Sequence, residues 1–274
     1  MAMEYMLITP ARNEASLIEA TIEAVVAQTH RPKRWLIVSD GSTDGTDEIV
    51  ARFAAQHPWI ELMRLPEHRD RSFAAKARVF NAGYERLRGE RYAVIGNLDA
   101  DITFAADYFE YLVSRFESDP RLGVAGTHYV EDGFHSYADS YMSINHVNGG
   151  CQLFRRECFD GIGGYVPIRG GGIDWVAVTT ARMNGWITRS FADRVFYHHR
   201  KIGTAEANDL VSRFRYGKKD YFLGGHPLWQ VLRAAFQLAK RPYVVGGLAL
   251  ISGYLWCWIT RHERYVSPQL MRFH

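Results

Sequence analysis

Short apolar runs alternate with amphipathic segments along the N-terminal third of this 274-residue chain. The runs have the length and the Val, Ile and Leu content of buried strands, whereas the segments between them repeat apolar residues at helical spacing. Strands that alternate with helices form right-handed βαβ units, which place parallel strands in one sheet with helices on both faces. The pattern predicts strands at 5–9, 35–38, 60–65 and 92–96, and helices at 16–28, from about 46, and at 73–87.

The chain loses this regularity after residue 100 and becomes rich in glycine. Glycines at 149–150, 163–164 and 170–172 indicate places where the backbone approaches another group closely, because glycine has no Cβ. The remaining pattern predicts helices at 104–116, 175–183 and 227–239, a strand at 123–129, a short strand before 198, and an uncharged run of 17 residues at 243–259.

The composition is that of a folded globular protein, but its charge is unevenly distributed. The chain is 47% hydrophobic and 23% charged, which excludes a disordered or collagen-like protein. The net charge is only +3, yet residues 1–193 hold 20 Lys and Arg against 26 Asp and Glu, whereas residues 194–274 hold 13 against 4. The basic end predicts a phosphate-bearing ligand, another polyanion or an anionic membrane surface as partner.

The cysteines and the N-terminal residues indicate in which cellular compartment the protein is expected. Cys151, Cys158 and Cys257 form neither a CxxC pair nor an even framework, which favours a reducing compartment and gives no indication of a zinc site. Glu4 interrupts the apolar stretch that a cleavable export signal would need, so we expect no such signal.

Acidic side chains follow three of the predicted strands. Glu14, Asp40 and the Asp99/Asp101 pair would meet at one edge of a parallel sheet, where ligands of open α/β sheets bind. Such carboxylates repel one another unless a cation lies between them, and Mg²⁺ or Mn²⁺ prefers a few carboxylates together with phosphate oxygens. A solvated pair of turn acids is the alternative interpretation. A calcium loop at Asp40–Ala51 is disfavoured, because Ala51 stands where that loop needs glutamate.

Four segments together resemble the nucleotide-sugar half of family-2 inverting glycosyltransferases of the GT-A fold. They are, in chain order, Tyr5–Glu14 (YMLITPARNE), Val38–Thr46 (VSDGSTDGT), Ala74–Gly83 (AAKARVFNAG) and Asn97–Asp101 (NLDAD). The resemblance covers about residues 4–200 and implies a Rossmann-like, mixed and mostly parallel sheet with helices on both faces. It further implies a transferase domain at 1–205, divided into a nucleotide-sugar half at 1–101 and an acceptor half at 102–205. The basic and apolar residues at 206–274 lie beyond the resemblance, and their own pattern predicts a C-terminal helical membrane-associating segment.

The resemblance also implies which residues bind the donor and a divalent ion, Mg²⁺ or Mn²⁺. The implied donor-binding residues are Pro10, Ala11, Arg12, Glu14, Asp40, Lys76 or Arg78, Asn81 and Asp99. Asp101 would ligate the metal, and a late histidine, His198 or His199, would complete the site. Adjacent strand residues point in opposite directions, so only one of these two histidines can face inward.

The acceptor side of the family is represented by Asn148–Arg156, Ile162–Tyr165 and Gly171–Trp175. The family's usual Glu-Asp pair is Ile173-Asp174 here, and the resemblance implies that Asp174 is the general base for the acceptor hydroxyl. The alternative is that Asp174 caps the helix that follows it.

The Gln-x-x-Arg-Trp signature of processive synthases is missing, which favours addition of a single sugar. In its place stands a basic stretch with Arg213, Arg215, Lys218 and Lys219. These cations could bind a diphosphate or an anionic acceptor headgroup, or they could form an ordinary solvated face.

The uncharged run 243–259 lies at the lower limit of length for crossing a bilayer, and aromatic residues and cations flank it. We expect it to attach at the cytoplasmic face, in the plane of the membrane or as a re-entrant segment; a true span and packing within a soluble protein are the alternatives. The basic residues Lys240, Arg241, Arg261 and Arg264 on both sides argue against a clean crossing.

The resemblance implies an enzyme that moves one sugar from a nucleoside-diphosphate sugar to a lipid-linked hydroxyl acceptor, for example one linked to polyprenyl diphosphate, in polysaccharide or glycolipid biosynthesis. Nucleic acid is not an expected partner. The alternatives are a catalytically silent nucleotide-sugar-binding protein and a polyprenyl-phosphate sugar synthase. A nucleotidyltransferase would need a Gly-rich N-terminal loop with lysine, which Pro10–Glu14 does not supply.

Overall fold

The computed structural model describes residues 3–67, 73–136, 143–200, 209–240 and 242–273. The chain forms two compact units, and each is described by itself. The first unit comprises Met1–Arg71, Ala75–Pro167 and Ile173–Lys201, and the second comprises Ser72–Ala74, Ile168–Gly172 and Ile202–His274. The expected boundary at 205/206 falls within 201–208, outside the described residues.

Strands and helices alternate at the start of the chain, as the periodicity predicts. The strands are β1 Tyr5–Ala11, β2 Arg34–Asp40, β3 Ile60–Leu65, β4 Val94–Leu98, β5 Ile102–Phe104, β6 Leu122–Glu131, β7 Phe134–His135, β8 Cys151–Arg155 and β9 Ile187–His198. The helices are α1 Ile18–Val26, α2 Thr46–Gln56, α3 Phe73–Leu87, α4 Tyr108–Ser118, α5 Arg156–Ile162, α6 Ile173–Met183, α7 Asp209–Phe222, α8 Pro227–Leu238, α9 Val245–Ile259 and α10 Pro268–Phe273.

The strands of the first unit form one mixed sheet in the order β3-β2-β1-β4-β8-β6-β9-β5, with β7 paired to β6. The strands β3, β2, β1 and β4 are parallel, so their carboxyl ends lie at the same edge. Beyond β4 the sheet is mixed, because β8 runs antiparallel to both β4 and β6 while β6 and β9 are parallel. This arrangement confirms the expected α/β class and places the polar strand ends side by side.

Apolar side chains fill both faces of the sheet. Trp35 in β2 is fully buried, and its indole Nε1 donates a hydrogen bond to Thr9 Oγ1 at 2.9 Å, so the one polar atom of this large side chain is satisfied. Phe159 of α5 packs edge to face with Phe80 of α3, Phe154 of β8 and Tyr165, and Phe154 also packs edge to face with Tyr165. This aromatic cluster joins α3 to β8 and α5.

Two elements differ from the sequence prediction. Residues 102–104 are the short strand β5 and not the start of a helix, and α4 begins only at Tyr108. β5 exists because Ile102 and Phe104 pair with His198 and Phe196 of β9, which lie about ninety positions later in the chain. Local periodicity carries no information about such a distant partner.

The second unit consists of helices, of which α7 and α9 cross at two glycines. A Cβ added to Gly217 would lie 1.9 Å from the carbonyl oxygen of Leu250, and one added to Gly253 would lie 2.0 Å from that of Phe214. Either distance is far below van der Waals contact, so the two backbones touch at these positions. Near the same crossing, Tyr254 donates from its hydroxyl to the carbonyl of Gly225 at 2.7 Å.

The helix α9, predicted at 243–259, contains 15 residues. Among the described residues, no helix has both the length and the apolar content required to cross a membrane.

Candidate active site

The loops that follow β1 and β2 are hydrogen-bonded to each other and form one wall of the candidate site. The backbone N–H of Glu14 donates to Thr46 Oγ1 at 2.8 Å, and that of Ala15 donates to Asp44 Oδ2 at 3.0 Å. Burial raises the pKa of Asp44, but the hydrogen bonds from Thr46 and Ala15 outweigh it, so its pKa is lowered and the carboxylate stays ionised. This network explains why the Ser-Thr-Asp-Gly-Thr motif needs its hydroxyls and its carboxylate.

The predicted nucleoside-binding positions lie at the ends of β1 and β2. Pro10 and Ala11 pair in register with Val38 and Ser39, which brings Arg12 beside Asp40. The Nη1 atom of Arg12 lies 3.5 Å from Asp40 Oδ2, and Asp40 is almost fully buried. A buried carboxylate with one cationic neighbour is suited to accept hydrogen bonds from a base or a ribose.

Asp99, Asp101 and His198 form a cluster that can hold a divalent ion. Each offers one oxygen or nitrogen atom, and these atoms lie within 4.8 Å of one another. The cluster exists because β5, directly after Asp101, pairs with the end of β9 and so sets Ile102 opposite His198. His198 Nε2 lies 3.6 Å from Asp101 Oδ1. Two carboxylates and an imidazole are a donor set that fits Mn²⁺ or Mg²⁺.

The two adjacent histidines have different surroundings. His198 is part of the cluster, whereas His199 is exposed and its Nε2 lies 2.8 Å from Thr103 Oγ1. The backbone N–H of His199 donates to the carbonyl of Asp101 at 3.0 Å. His198 is therefore the one brought to the two aspartates, as expected when neighbouring strand residues point to opposite sides.

A partly buried lysine lies against the first aspartate of the Asp-x-Asp motif. Lys76 Nζ is 2.5 Å from Asp99 Oδ1. Burial lowers the pKa of Lys76, but the nearby charges of Asp99, Asp101 and Asp174 outweigh it, so the pKa is raised and the ammonium group stays protonated. Burial raises the pKa of Asp99 in spite of this partner. Asp174 therefore interacts electrostatically with Lys76, the same lysine that contacts the Asp-x-Asp motif.

Arg200 is a site residue that the sequence motifs do not predict. Its guanidinium makes a bidentate ion pair with Glu14, with Nη1 to Oε1 at 2.9 Å, and its Nε lies 3.7 Å from Asp101 Oδ2. Burial raises the pKa of Glu14, and the hydrogen bonds from Arg200 only partly oppose that rise. The signal that could have identified Arg200 is its position directly after the two histidines. A cation in this place can contact a phosphate oxygen.

Asp174 lies in the first turn of α6, half-buried, and not at the cap position that was the alternative. A Cβ on Gly149 would approach the Cβ of Asp174 to 3.1 Å, so the Asn-Gly-Gly segment needs glycine here to pass the carboxylate. The same segment is bound to the Asp-x-Asp loop, since Asn97 Nδ2 donates to the carbonyl of Gly149 at 2.6 Å. His146 Nε2 lies 3.8 Å from Asp174 Oδ2.

Two further predicted donor-binding residues, Arg78 and Asn81, lie on α3. Asn81 uses both ends of its amide on the backbone of Tyr165, donating to the carbonyl at 2.8 Å and accepting from the N–H at 3.1 Å. Arg78 is exposed on α3. The contacts of Asn81 thus hold the loop at Gly163–Tyr165 against α3, and of the pair Lys76 or Arg78 it is Lys76 that reaches Asp99.

Comparisons with known proteins identify the family of this chain and related folds. The model of the family described as "Glycosyl transferase family 2" matches residues 6–146. Poly-beta-1,6-N-acetyl-D-glucosamine synthase from Staphylococcus aureus (strain COL) is 32% identical over 111 residues, which are 40% of this chain and only a quarter of that protein. Glycosyltransferase AglE from Haloferax volcanii is 27% identical over 289 residues, covering 97% of this chain and 84% of its own.

Solved structures show the same fold at low identity. The mannosyltransferase PcManGT from Pyrobaculum calidifontis, in complex with GDP-Man and Mn²⁺, has a TM-score of 0.62 and 22% identity, and the match covers 98% of this chain and 78% of that one. TarS 1-349 from S. aureus in complex with UDP-GlcNAc has a TM-score of 0.59 and 14% identity, over 99% and 79% of the two chains. Because the family match covers more than half of the chain and includes Glu14, Asp40, Asp99 and Asp101, this chain belongs to glycosyl transferase family 2, and it has the GT-A fold.

Proposed function

We propose that this glycosyltransferase transfers a single sugar from a nucleoside-diphosphate sugar to a hydroxyl acceptor, with inversion and with a divalent metal ion. The observation that carries the proposal is the group formed by Asp99, Asp101 and His198 with Lys76 and Arg200 beside it. A metal ion held by these three ligands, together with the two neighbouring cations, would balance the negative charge of a departing diphosphate. The complexes of PcManGT with GDP-Man and Mn²⁺ and of TarS with UDP-GlcNAc support a donor of this class.

On the donor side, the wall made by Pro10, Ala11, Arg12, Glu14 and Asp40 holds the nucleoside, and Lys76 and Asp99 border the sugar diphosphate. Asp99, Asp101 and His198 would hold Mg²⁺ or Mn²⁺, which would supply positive charge against the charge that develops on the diphosphate. Lys76 and Arg200 add two fixed positive charges to the same end of the pocket. Their ion pairs with Asp99 and Glu14 keep both cations oriented before substrate binds.

On the acceptor side, Asp174 removes the proton from the attacking hydroxyl while the bond from the anomeric carbon to the diphosphate breaks on the opposite face. A single displacement of this kind inverts the configuration at the anomeric carbon. The carboxylate suits the role because it is only half-buried and lies beside Gly149, which itself has no side chain.

A thermal-shift panel of UDP-, GDP- and dTDP-sugars, with and without Mn²⁺, tests the donor assignment. We expect one nucleotide to raise Tm by several degrees with Mn²⁺ and by much less without it, because a ligand at 100 times its Kd stabilises a protein by about 2.7 kcal/mol. A panel in which no nucleotide sugar shifts Tm would contradict the proposal.

Turnover separates the proposed enzyme from its alternatives. A silent nucleotide-sugar-binding protein would show the thermal shift without donor hydrolysis or sugar transfer. A polyprenyl-phosphate sugar synthase would use polyprenyl phosphate itself as acceptor, whereas the proposed enzyme would act on a hydroxyl of a sugar already linked to polyprenyl diphosphate. Radiolabelled donor, offered separately with each lipid, distinguishes the two.

We also propose that 1–205 is the transferase domain, with halves at 1–101 and 102–205, and that 206–274 attaches it to the cytoplasmic face of a membrane. The burial pattern of α8 supports this assignment. Gln230, Ala234 and Gln237 are buried, whereas the large apolar side chains point outward and are 53–70% exposed: Leu228, Trp229, Val231, Leu232 and Phe236. A helix surrounded by water buries its apolar side, so the reverse pattern is that of a helix whose outer face meets an apolar phase.

The end of α9 and the charges of the second unit fit the same partner. Trp256, Trp258 and Ile259 are 55–75% exposed, and tryptophan is favoured at the boundary between lipid and water. Lys240 Nζ lies 5.2 Å above the ring of Phe236, which places a cation beside the apolar face. The excess of Lys and Arg after residue 193 favours anionic lipids. The basic flank at Arg241 lies outside the described residues.

Flotation with vesicles that contain phosphatidylglycerol tests the attachment. We expect the unchanged chain to float, and a variant with Leu228, Trp229, Leu232 and Phe236 changed to Gln to bind at least about tenfold more weakly, because each buried apolar side chain contributes about 1.5–3 kcal/mol. The double variant Ile144→Gln with Val166→Gln is the matched control, since both apolar residues are exposed but lie outside α8. If the unchanged chain fails to float, or if the α8 variant floats equally well, the attachment is refuted.

A further inference from the structure

The two ring nitrogens of His198 face two different carboxylates. Nε2 lies 3.6 Å from Asp101 Oδ1, on the side of the metal cluster, and Nδ1 lies 3.6 Å from Glu131 Oε2 on the other side. The side chains of His198 and Glu131 are 9% and 16% exposed, so neither interaction is strongly screened by water. Glu131 is not part of the three-residue metal cluster, and it reaches that cluster only through the imidazole.

Backbone pairing places Glu131 at this position. β6 and β9 run parallel, with Val130 opposite Tyr197, so the next residues along the two strands are Glu131 and His198. Both are the last residues of their strands. The contact is therefore set by the register of the sheet and not by the conformation of a loop.

A neutral imidazole carries one N–H and one lone pair, and only the nitrogen with the lone pair can bind a metal ion. A carboxylate beside Nδ1 favours the tautomer with the proton on Nδ1, which leaves the lone pair on Nε2. The separation of 3.6 Å is longer than a hydrogen bond, and a small side-chain rotation shortens it to one. A carboxylate in this relation to a ligating histidine raises its basicity and sets its ring orientation.

We propose that Glu131 is a positioning residue, which accepts a hydrogen bond from Nδ1–H of His198 and presents Nε2 to the divalent ion. The inference rests on the proposed metal-dependent function. Glu131 itself contacts neither substrate nor metal; its effect passes through the tautomer and the orientation of one ring. Loss of Glu131 leaves all three metal-binding groups in place but lets the imidazole place its proton on either nitrogen.

Titration of the full chain with Mn²⁺ alone, followed by the electron paramagnetic resonance signal of free Mn²⁺, measures affinity without turnover. We expect Glu131→Leu to weaken Mn²⁺ binding 10- to 100-fold, the range typical of residues that support a metal ligand. Glu131→Gln keeps an acceptor oxygen and should lose less. Asp101→Asn shows how far the Mn²⁺ affinity falls when a metal ligand is lost. Glu23→Gln, on the exposed side of α1, is the charge-matched control and should bind Mn²⁺ as the unchanged chain does.

The second readout is the tautomer of His198 in the metal-free protein, read from the ¹⁵N shifts of its ring. Asp101 lies as close to Nε2 as Glu131 does to Nδ1, so the expected result is a shift between the two variants. The Nδ1–H form should be more populated in the unchanged chain than in Glu131→Leu, with an unchanged unfolding midpoint as proof of folding. Unaltered Mn²⁺ affinity and tautomer in Glu131→Leu would overturn the role of Glu131 alone. Equal Mn²⁺ binding by Asp101→Asn and the unchanged chain would instead overturn the proposed metal site.

Discussion

Asp174→Asn is expected to lower kcat by about 10²–10⁴-fold and to leave the affinity for the donor nucleotide within about twofold of the unchanged protein. The amide has the size of the carboxylate but cannot take a proton, and a general base contributes this order of rate enhancement. Asp174 lies in the first turn of α6, and the amide keeps a carbonyl oxygen that can accept from a backbone N–H there.

Initial rates with saturating donor, together with donor titration by calorimetry, measure the two effects separately. Asp119→Asn is a matched control, because it makes the same chemical change at the C-terminal end of α4. An equal loss of turnover and donor affinity would show that Asp174 supports the donor pocket and would contradict its role as a base. If Asp174 instead served only to stabilise the start of α6, the substitution would lower Tm and change kcat little.

Gly253→Ala is expected to destabilise the helical second unit by about 3 kcal/mol or more, the upper range for overpacking a tight interface. The new methyl group would lie 2.0 Å from the carbonyl oxygen of Phe214, which belongs to the backbone of α7 and cannot rotate away. The helices α7 and α9 must therefore separate to admit it. Urea unfolding followed by the fluorescence of Trp256 and Trp258 in α9 reports the loss.

Gly246→Ala on the same helix is the matched control. Its Cβ would meet nothing closer than 3.4 Å, an ordinary contact with the ring of Pro242. Because alanine has a higher helix propensity than glycine, this variant should be as stable as the unchanged chain or more stable, by up to about 1 kcal/mol. Equal stabilities for the two alanine variants would contradict the close crossing of α7 and α9.

The N-terminal half of the sheet could be predicted from the sequence because its signals are local. The apolar run at 5–9 and the run at 35–38 are buried on both faces, and a strand of that kind is recognisable from a few consecutive residues. The helix predicted at 73–87 agrees with α3 for the same reason. The confirmed family and fold depend on these segments and on the polar motifs at the ends of their strands.

Elements with distant partners could not be predicted in this way. β5 is three residues long and depends on β9, and Cys151–Arg155 becomes a strand by insertion between β4 and β6. The ion pair of Arg200 with Glu14 joins residues 186 positions apart. Nothing in either local sequence specifies the other, because such contacts depend on how the sheet closes.

The sequence by itself determined the class of fold and the family, since strand periodicity and the motifs at Glu14, Asp40, Asp99 and Asp101 are properties of short segments. Only the tertiary structure decided which groups meet: that His198 and not His199 joins the aspartates, that Arg200 lies beside Asp101, and that α8 turns its apolar side outward. The physical reason is that side-chain direction follows from strand register and helix packing, and both are set by contacts between segments far apart in the chain.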